Sequence, residues 1–147
     1  DAAAEQAFVT ALSPVSRRRR FHGALKQLPT SVLLAMTTID FRHHVAFVAE
    51  AGCADGAARL VADARYVRDE RGGAEFALAV ADDWQGLGLG RALLQRLGRY
   101  ARQSGVVTLS GSVLADNVPM LALMRSLGAR LRDDPADATL VQVMVAL

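Results

Sequence analysis

Three glycines alternate at positions 86, 88 and 90, between an apolar run, Ala74 to Ala81, and a segment with leucines at helical spacing. Glycine inside a helix costs about 1 kcal/mol relative to alanine, so this stretch reads as a junction between elements. Ala74 to Ala81 is short and apolar and predicts a strand. Leu89, Leu93, Leu97 and Tyr100 recur at three- and four-residue spacing, which predicts an amphipathic helix to about Gln103, and Gly105 stands where a left-handed C-cap belongs. A strand that enters a helix through glycines leaves amide N–H groups unblocked at the positive end of that helix. Such a junction suits an anion, most naturally a phosphate or pyrophosphate, and Arg91 adds a charged donor. A Walker A loop is excluded because Arg91-Ala92 stand where Lys and Ser/Thr are required. A dinucleotide fingerprint is excluded because Arg91 and Leu93 occupy its third glycine position. The alternative is a flexible helix entry with no ligand.

The rest of the chain supplies the elements around this junction. Residues 2–11 are strong helix formers, and Ser13-Pro14 restarts a helix, as cap and first position, that runs to about Leu25. Pro29 breaks the chain before further helical turns at residues 31–37. Strands are predicted at 43–50, 58–69 and 74–81, joined as an antiparallel meander, then at 106–114, 129–132 and 139–147. Between the last three, Asn117 caps a helix that turns Met120, Leu123, Met124 and Leu127 inward and ends at Gly128. The predicted fold class is α/β, a mixed and mostly antiparallel sheet flanked by helices, in one domain over residues 1–147. Because the sequence starts at Asp1, it is expected either to be trimmed at its start or to be a domain cut from a longer chain.

Composition narrows the function classes. Hydrophobic residues make up 52% and charged residues 22%, which excludes a disordered chain. The single cysteine, Cys53, excludes a disulfide framework and points to a reducing, cytoplasmic setting. No apolar run reaches the ~18–20 residues of a membrane span. A net charge of +2 with one lysine, Lys26, is poor support for nucleic-acid binding. His43 and His44 are adjacent in a strand and point to opposite faces, so no metal site is expected and both read as structural or surface residues, with a backup base facing the cleft as the functional alternative for His44. Arg17 to Arg20 wrap around a helix and read as a solvated segment, with docking of an acidic protein surface as the functional alternative. Trp84 reads as a packing anchor for the junction.

On these residues the chain resembles the GNAT acetyltransferases. Val80 followed by Gln85-Gly86-Leu87-Gly88-Leu89-Gly90 is similar to that family's acyl-CoA motif, Gln/Arg-x-x-Gly-x-Gly/Ala. Asn117 heading a helix that closes with Leu127-Gly128-Ala129 is similar to its second recurring segment. More narrowly, Ser13-Pro14 with Ser16-Arg17, Ile39-Asp40-Phe41, Val45 to Ala49, Ala64 to Arg68 and Ala74 to Ala77 are similar to bacterial protein-lysine acetyltransferases. The resemblance runs from about Ser13 to the C-terminus. It implies that a first strand is absent from this chain; in the bacterial protein-lysine acetyltransferases this domain is often fused to a regulatory or acyl-CoA-synthetase-like module, and whether one lies upstream here is open.

The resemblance also implies a chemistry. Acetyl-CoA is the co-substrate, without a metal, and an amine is the acceptor. The backbone of Leu78 and Val80 pairs with the pantetheine arm. Gln85, Gly86, Leu87, Gly88, Leu89, Gly90 and Arg91 hold the pyrophosphate. Asn117 bonds the CoA arm, with helix capping as its alternative. Ala77, Ala79 and Ala81 keep one face of the strand small. A lysine ammonium has a pKa near 10.4 and only the neutral amine attacks a thioester, so a base is needed. Glu75 matches the base of the lysine-acetyltransferase group, and burial is expected to raise its pKa. The alternative is an exposed strand acid paired with Arg65 or Arg68. Met124 stands where many relatives carry a tyrosine as general acid, so solvent or another group such as Tyr66 protonates the thiolate. The expected acceptor is a protein lysine, for instance on an acyl-CoA synthetase. A small amine or amino acid, a non-catalytic acyl-CoA sensor and, last, a nucleic-acid module are the alternatives. The oligomeric state is open.

Overall fold

The computed structural model describes residues 1–23 and 25–147. Three helices lead: α1 (Ala2–Ala11), α2 (Pro14–Phe21) and α3 (Thr30–Thr37). They are followed by β1 (His44–Gly52), β2 (Ala58–Arg68), β3 (Ala74–Val80), α4 (Leu89–Gln103), β4 (Thr108–Leu114), α5 (Val118–Ser126), β5 (Arg130–Asp133) and β6 (Leu140–Ala146). The helix starts follow from local chemistry. The Asp1 carboxylate accepts from the Ala3 and Ala4 amides, the Ser13 side chain accepts from the Ser16 amide, and Asn117 accepts from the Met120 amide. Pro14 stands in the first turn of α2, where its missing N–H costs nothing.

The expectation that α2 runs to about Leu25 is corrected at its end. The helix stops at Phe21, and His22 takes a left-handed conformation with φ 58°, its amide donating to the Arg18 carbonyl at 2.6 Å. Residue 24 of the expected run lies outside the described residues.

The six strands form one sheet in the order β1-β2-β3-β4-β6-β5. The predicted meander is present: β1, β2 and β3 pair antiparallel, and so do β4, β6 and β5. Only β3 and β4 run parallel, and they pair at just two positions, Ala74 with Leu109 and Glu75 with Ser110. Beyond Glu75 the two strands part. This split divides the sheet into two antiparallel halves and opens the site described below.

One core lies under α4 and α5, built around Tyr66, Phe76, Leu97, Met124 and Val143. A smaller one, with Phe8, Val9, Leu12, Leu28, Met36 and Ala79, lies under α1 and α3. Alternation along β3 feeds both. Phe76, Leu78 and Val80 pack on the first, and Ala79 belongs to the second. The small side of β3 is therefore partly filled by the helical layer. Among the described residues, no helix is long and apolar enough to cross a membrane.

Beneath the helical layer lies a buried charge cluster. The Arg65 guanidinium bonds Asp63 at 2.8 Å, Glu5 at 3.2 Å and the Met36 carbonyl at 2.7 Å. The three charged side chains are 6%, 1% and 6% exposed respectively. Burial, reinforced by the Asp63 charge, pushes the Glu5 carboxyl above its ordinary value, against the pull of Arg65. One cation thus ties α1 and α3 to β2. Replacing it by an apolar side chain leaves two buried carboxylates without it. Arg65→Met is expected to destabilise the fold by about 3–5 kcal/mol, read as a fall in the urea midpoint.

Candidate functional site

Just before they part, the two strands come close, and β4 carries the residue that allows it. A Cβ on Gly111 would stand 3.0 Å from the Phe76 ring and 3.2 Å from the Phe76 carbonyl oxygen, so only glycine permits this last close approach of the strands. Past it, β3 continues without β4. The Ala81 amide donates to the Val61 carbonyl at 2.8 Å, and Val80 lies opposite Ala62. By alternation, Phe76, Leu78 and Val80 turn their backbone groups away from β2 and into the opening. The Val80 carbonyl accepts from Gln85 Nε2 at 3.0 Å. The Leu78 backbone and the Val80 amide face a cavity of about 650 Å3.

The glycine junction forms one end of that cavity. Gly86 and Gly88 have φ of 74° and 85°, and a Cβ on either would meet open space. They are needed for their conformation and not for room. Gly90 differs, because a Cβ there would come within 3.2 Å of Leu78 Cδ2, so it sets how closely α4 packs on β3. Gly88 caps α4 without a side chain, and the first intrahelical bond runs from the Ala92 amide to the Gly88 carbonyl at 3.0 Å. The amides of Leu89, Gly90 and Arg91 therefore have no helical acceptor and offer an anion site at a positive helix end.

A 3-10 turn, Asp82–Trp84, delivers the chain to this junction. The Asp82 carboxylate accepts from the Ser13 amide at 2.7 Å, the Ser13 hydroxyl at 3.0 Å, the Ser16 hydroxyl and Gln85 Nε2 at 3.3 Å. Burial pulls this carboxyl up, but the bonds from Ser16 and Ser13 outweigh it and hold Asp82 below the ordinary carboxylate value. Gln85 also donates to the Ser16 hydroxyl at 3.1 Å. The Gln85 side chain is thus spent inside the loop, joining it to β3 and α2.

Of the expected site residues, Glu75, Leu78, Val80, Gln85, Gly86, Gly88, Leu89, Gly90, Arg91 and Asn117 all line the cavity. Leu87 does not, and its side chain is 70% exposed at the loop tip. The Arg91 guanidinium is bonded to the Ser126 hydroxyl, which ties α4 to the end of α5. Asn117 caps α5 at 3.3 Å and also faces the cavity.

Several expectations are corrected. Glu75 is exposed and not buried, because its side of β3 opens past the helical layer at the cavity. Its pairing with Arg65 or Arg68 is not formed. Arg65 belongs to the buried cluster, and Arg68 bonds the Ser104 carbonyl. Tyr66 is fully buried in the first core, where burial pushes its phenol up, so it is no proton donor to this cavity. Met124 is 2% exposed and serves the same core. His44 sits 3.4 Å from Arg65 Nη1, outside the cavity lining. The arginine run is not uniformly solvated. Arg17 donates to the Leu12 carbonyl at 2.7 Å, Arg18 pairs with Asp116 at 3.0 Å, and Arg20 stacks 4.7 Å over Phe21. Arg19 and Arg20 line the cavity, as do His22 and Ser112, which local sequence pattern did not single out. Among the described residues, no three His, Cys, Asp or Glu are placed to hold a metal ion.

Comparison with known proteins agrees with this geometry. Residues 16–129 match the acetyltransferase (GNAT) family. An acetyltransferase of Pseudomonas aeruginosa is 37% identical over 144 residues, which cover 97% of this chain and 77% of that protein. Acetyltransferase Pat of Mycolicibacterium smegmatis is 37% identical over 114 residues, 76% of this chain but only 33% of Pat. Among solved structures, the GNAT domain of S. lividans PAT superposes with a TM-score of 0.88 at 26% identity, covering 100% of this chain and 85% of that one.

The Asp82 anchor carries a pH signature. Its folded pKa lies below its unfolded one, so its contribution is present above the ordinary value of 3.8 and is lost as pH falls through the folded pKa. Asp82→Ala is expected to cost about 1–2 kcal/mol at pH 7, the loss of a charged acceptor shared by Ser13, Ser16 and Gln85. The gap to the parent protein should narrow from about pH 4 downward, as urea unfolding across that range will show.

Proposed function

The chain belongs to the acetyltransferase (GNAT) family, whose co-substrate is acetyl-CoA, and we propose that it transfers the acetyl group to a protein lysine with Glu75 as general base. The observation that carries this reading is the split of β3 from β4. It sets a free strand edge, an uncapped helix end and an open carboxylate along one cavity.

In this reading the amides of Leu89, Gly90 and Arg91 receive the pyrophosphate, with Gly86 and Gly88 holding the loop in its left-handed turns. Leu78 and the Val80 amide pair with the pantetheine arm as a missing strand would. Gln85 keeps the loop in place, Leu87 covers the bound nucleotide end, and Asn117 bonds the arm from α5. Glu75 takes up a proton from the amine nitrogen as that nitrogen bonds to the thioester carbon and displaces the CoA thiolate. A thiolate is a good enough leaving group to depart into solvent without a dedicated acid.

A protein acceptor is supported by the likeness to PAT and Pat, and by the exposure of Glu75, which leaves the carboxylate within reach of a side chain carried on a large surface. An acyl-CoA synthetase is the proposed type of acceptor, in a cytoplasmic setting, with residues 1–147 acting as one catalytic domain. Acetyl transfer to a panel of folded proteins and to free amines separates this from a small-amine enzyme. Tight acetyl-CoA binding with no transfer to either would instead favour a sensor.

Saturating acetyl-CoA is expected to raise the melting temperature by roughly 5–10 °C, and Gly88→Glu to abolish the rise by placing a carboxylate at the anion site. Glu75→Gln is expected to keep that rise while lowering turnover at least ~10²-fold; unchanged turnover removes Glu75 from the mechanism.

A further inference from the structure

An acceptor lysine sheds more protons than one carboxylate holds. It arrives as an ammonium, with an ordinary pKa of about 10.4, and ends as an amide. Two protons leave the nitrogen. Resting on the reading of Glu75 given above, we infer that His22 is the second proton acceptor of the reaction, placed with Glu75 at the acceptor end of the cavity.

The placement of His22 is built by the fold. It lies one residue past α2 at φ 58° and ψ 26°, with its amide fixed to the Arg18 carbonyl. Left-handed backbone is uncommon for a residue other than glycine, though histidine is among those enriched there. His22 and Glu75 line the same cavity, from α2 and from β3. The groups that act on the imidazole come from four elements. They are Arg20 on α2, Glu75 on β3, the Ser112 backbone on β4 and Asp137 in the turn between β5 and β6. Arg19 lines the cavity from α2 as well. His22 is exposed as a residue, yet desolvation on the cavity side, followed by the Arg20 charge, pushes the imidazole below its ordinary value, against the Ser112 backbone, Asp137 and Glu75. The ring is therefore neutral at pH 7 and able to take a proton.

The steps balance. One ammonium proton passes to a His22 ring nitrogen, giving an imidazolium. The freed nitrogen lone pair bonds to the thioester carbonyl carbon. The C–S bond breaks and its electron pair leaves on sulfur. The second proton on nitrogen goes to the Glu75 carboxylate. Imidazolium and carboxylic acid then release their protons, one to the thiolate and one to water.

The test is His22→Asn, because asparagine keeps the left-handed preference that ends α2 while removing the basic ring. Turnover on a protein acceptor is expected to fall about 10-fold near pH 7 and to recover towards pH 9, where more amine is already neutral. The acetyl-CoA-induced melting rise should equal that of the parent protein. Independently of activity, the His22 ring titrated by NMR should have its midpoint lowered further in Glu75→Gln, since a negative charge that favours the imidazolium is gone. A pH–rate profile for His22→Asn superimposable on the parent, or a ring midpoint unmoved by Glu75→Gln, overturns the assignment. Failure of the earlier reading looks different: it is unchanged turnover in Glu75→Gln itself.

Discussion

Two residue pairs of parallel ladder hold the halves of this sheet together, and the rest of the molecule is arranged around their brevity. Strand β3 satisfies its β2 side over seven residue pairs, from Ala62–Val80 to Arg68–Ala74. On its other side it has β4 at Ala74 and Glu75 only, and then open cavity. Backbone polar groups left there must meet water or a ligand, because burying them unpaired is costly. Gln85 returns one partner to the Val80 carbonyl. Gly111 and Gly90 decide how abruptly the strands separate and how deeply α4 follows, since each holds a position where a Cβ would press on its neighbours.

The helical layer is positioned by charge and not by apolar burial alone. Asp82 gathers Ser13, Ser16 and Gln85 around one carboxylate, so the start of α2 is fixed to the glycine loop. Arg65 gathers Glu5, Asp63 and the Met36 carbonyl, which fixes α1 and α3 over β2. Between these two anchors lies α2, and Arg19, Arg20 and, just past its end, His22 line the same cavity as Glu75.

What could be read in the sequence was local. The glycine junction, the caps at Ser13 and Asn117, the amphipathic period of α4 and the order of elements along the chain all rest on residues a few positions apart, and all are present. The cavity was legible as far as its glycine junction, because a helix start after glycines declares itself in five residues. The rest of its lining was less so. Glu75 is exposed, and α2 stops at Phe21, short of the expected Leu25. Strand alternation shows which face Glu75 shares with Ala77 and Ala79, but not how far a neighbouring layer covers that face. Ser13 meets Asp82 across 69 positions and Arg65 meets Glu5 across 60. No pattern in the sequence pairs such residues. Arg91 is similar: its position beside the loop suggested a phosphate donor, while its guanidinium is bonded to Ser126 on another helix.

The bonds that join Asp82, Gln85, Ser16 and Val80 set the loop before any ligand arrives. Glycine-rich segments lose more freedom on ordering than others, about 1–2 kcal/mol per residue of backbone. Here that entropy is surrendered during folding. Preorganisation of this kind leaves little to be lost on association, so the encounter resembles docking onto a rigid cradle. It also means that the order of the glycine loop and the stability of the fold draw on the same bonds: loosening Asp82 loosens both.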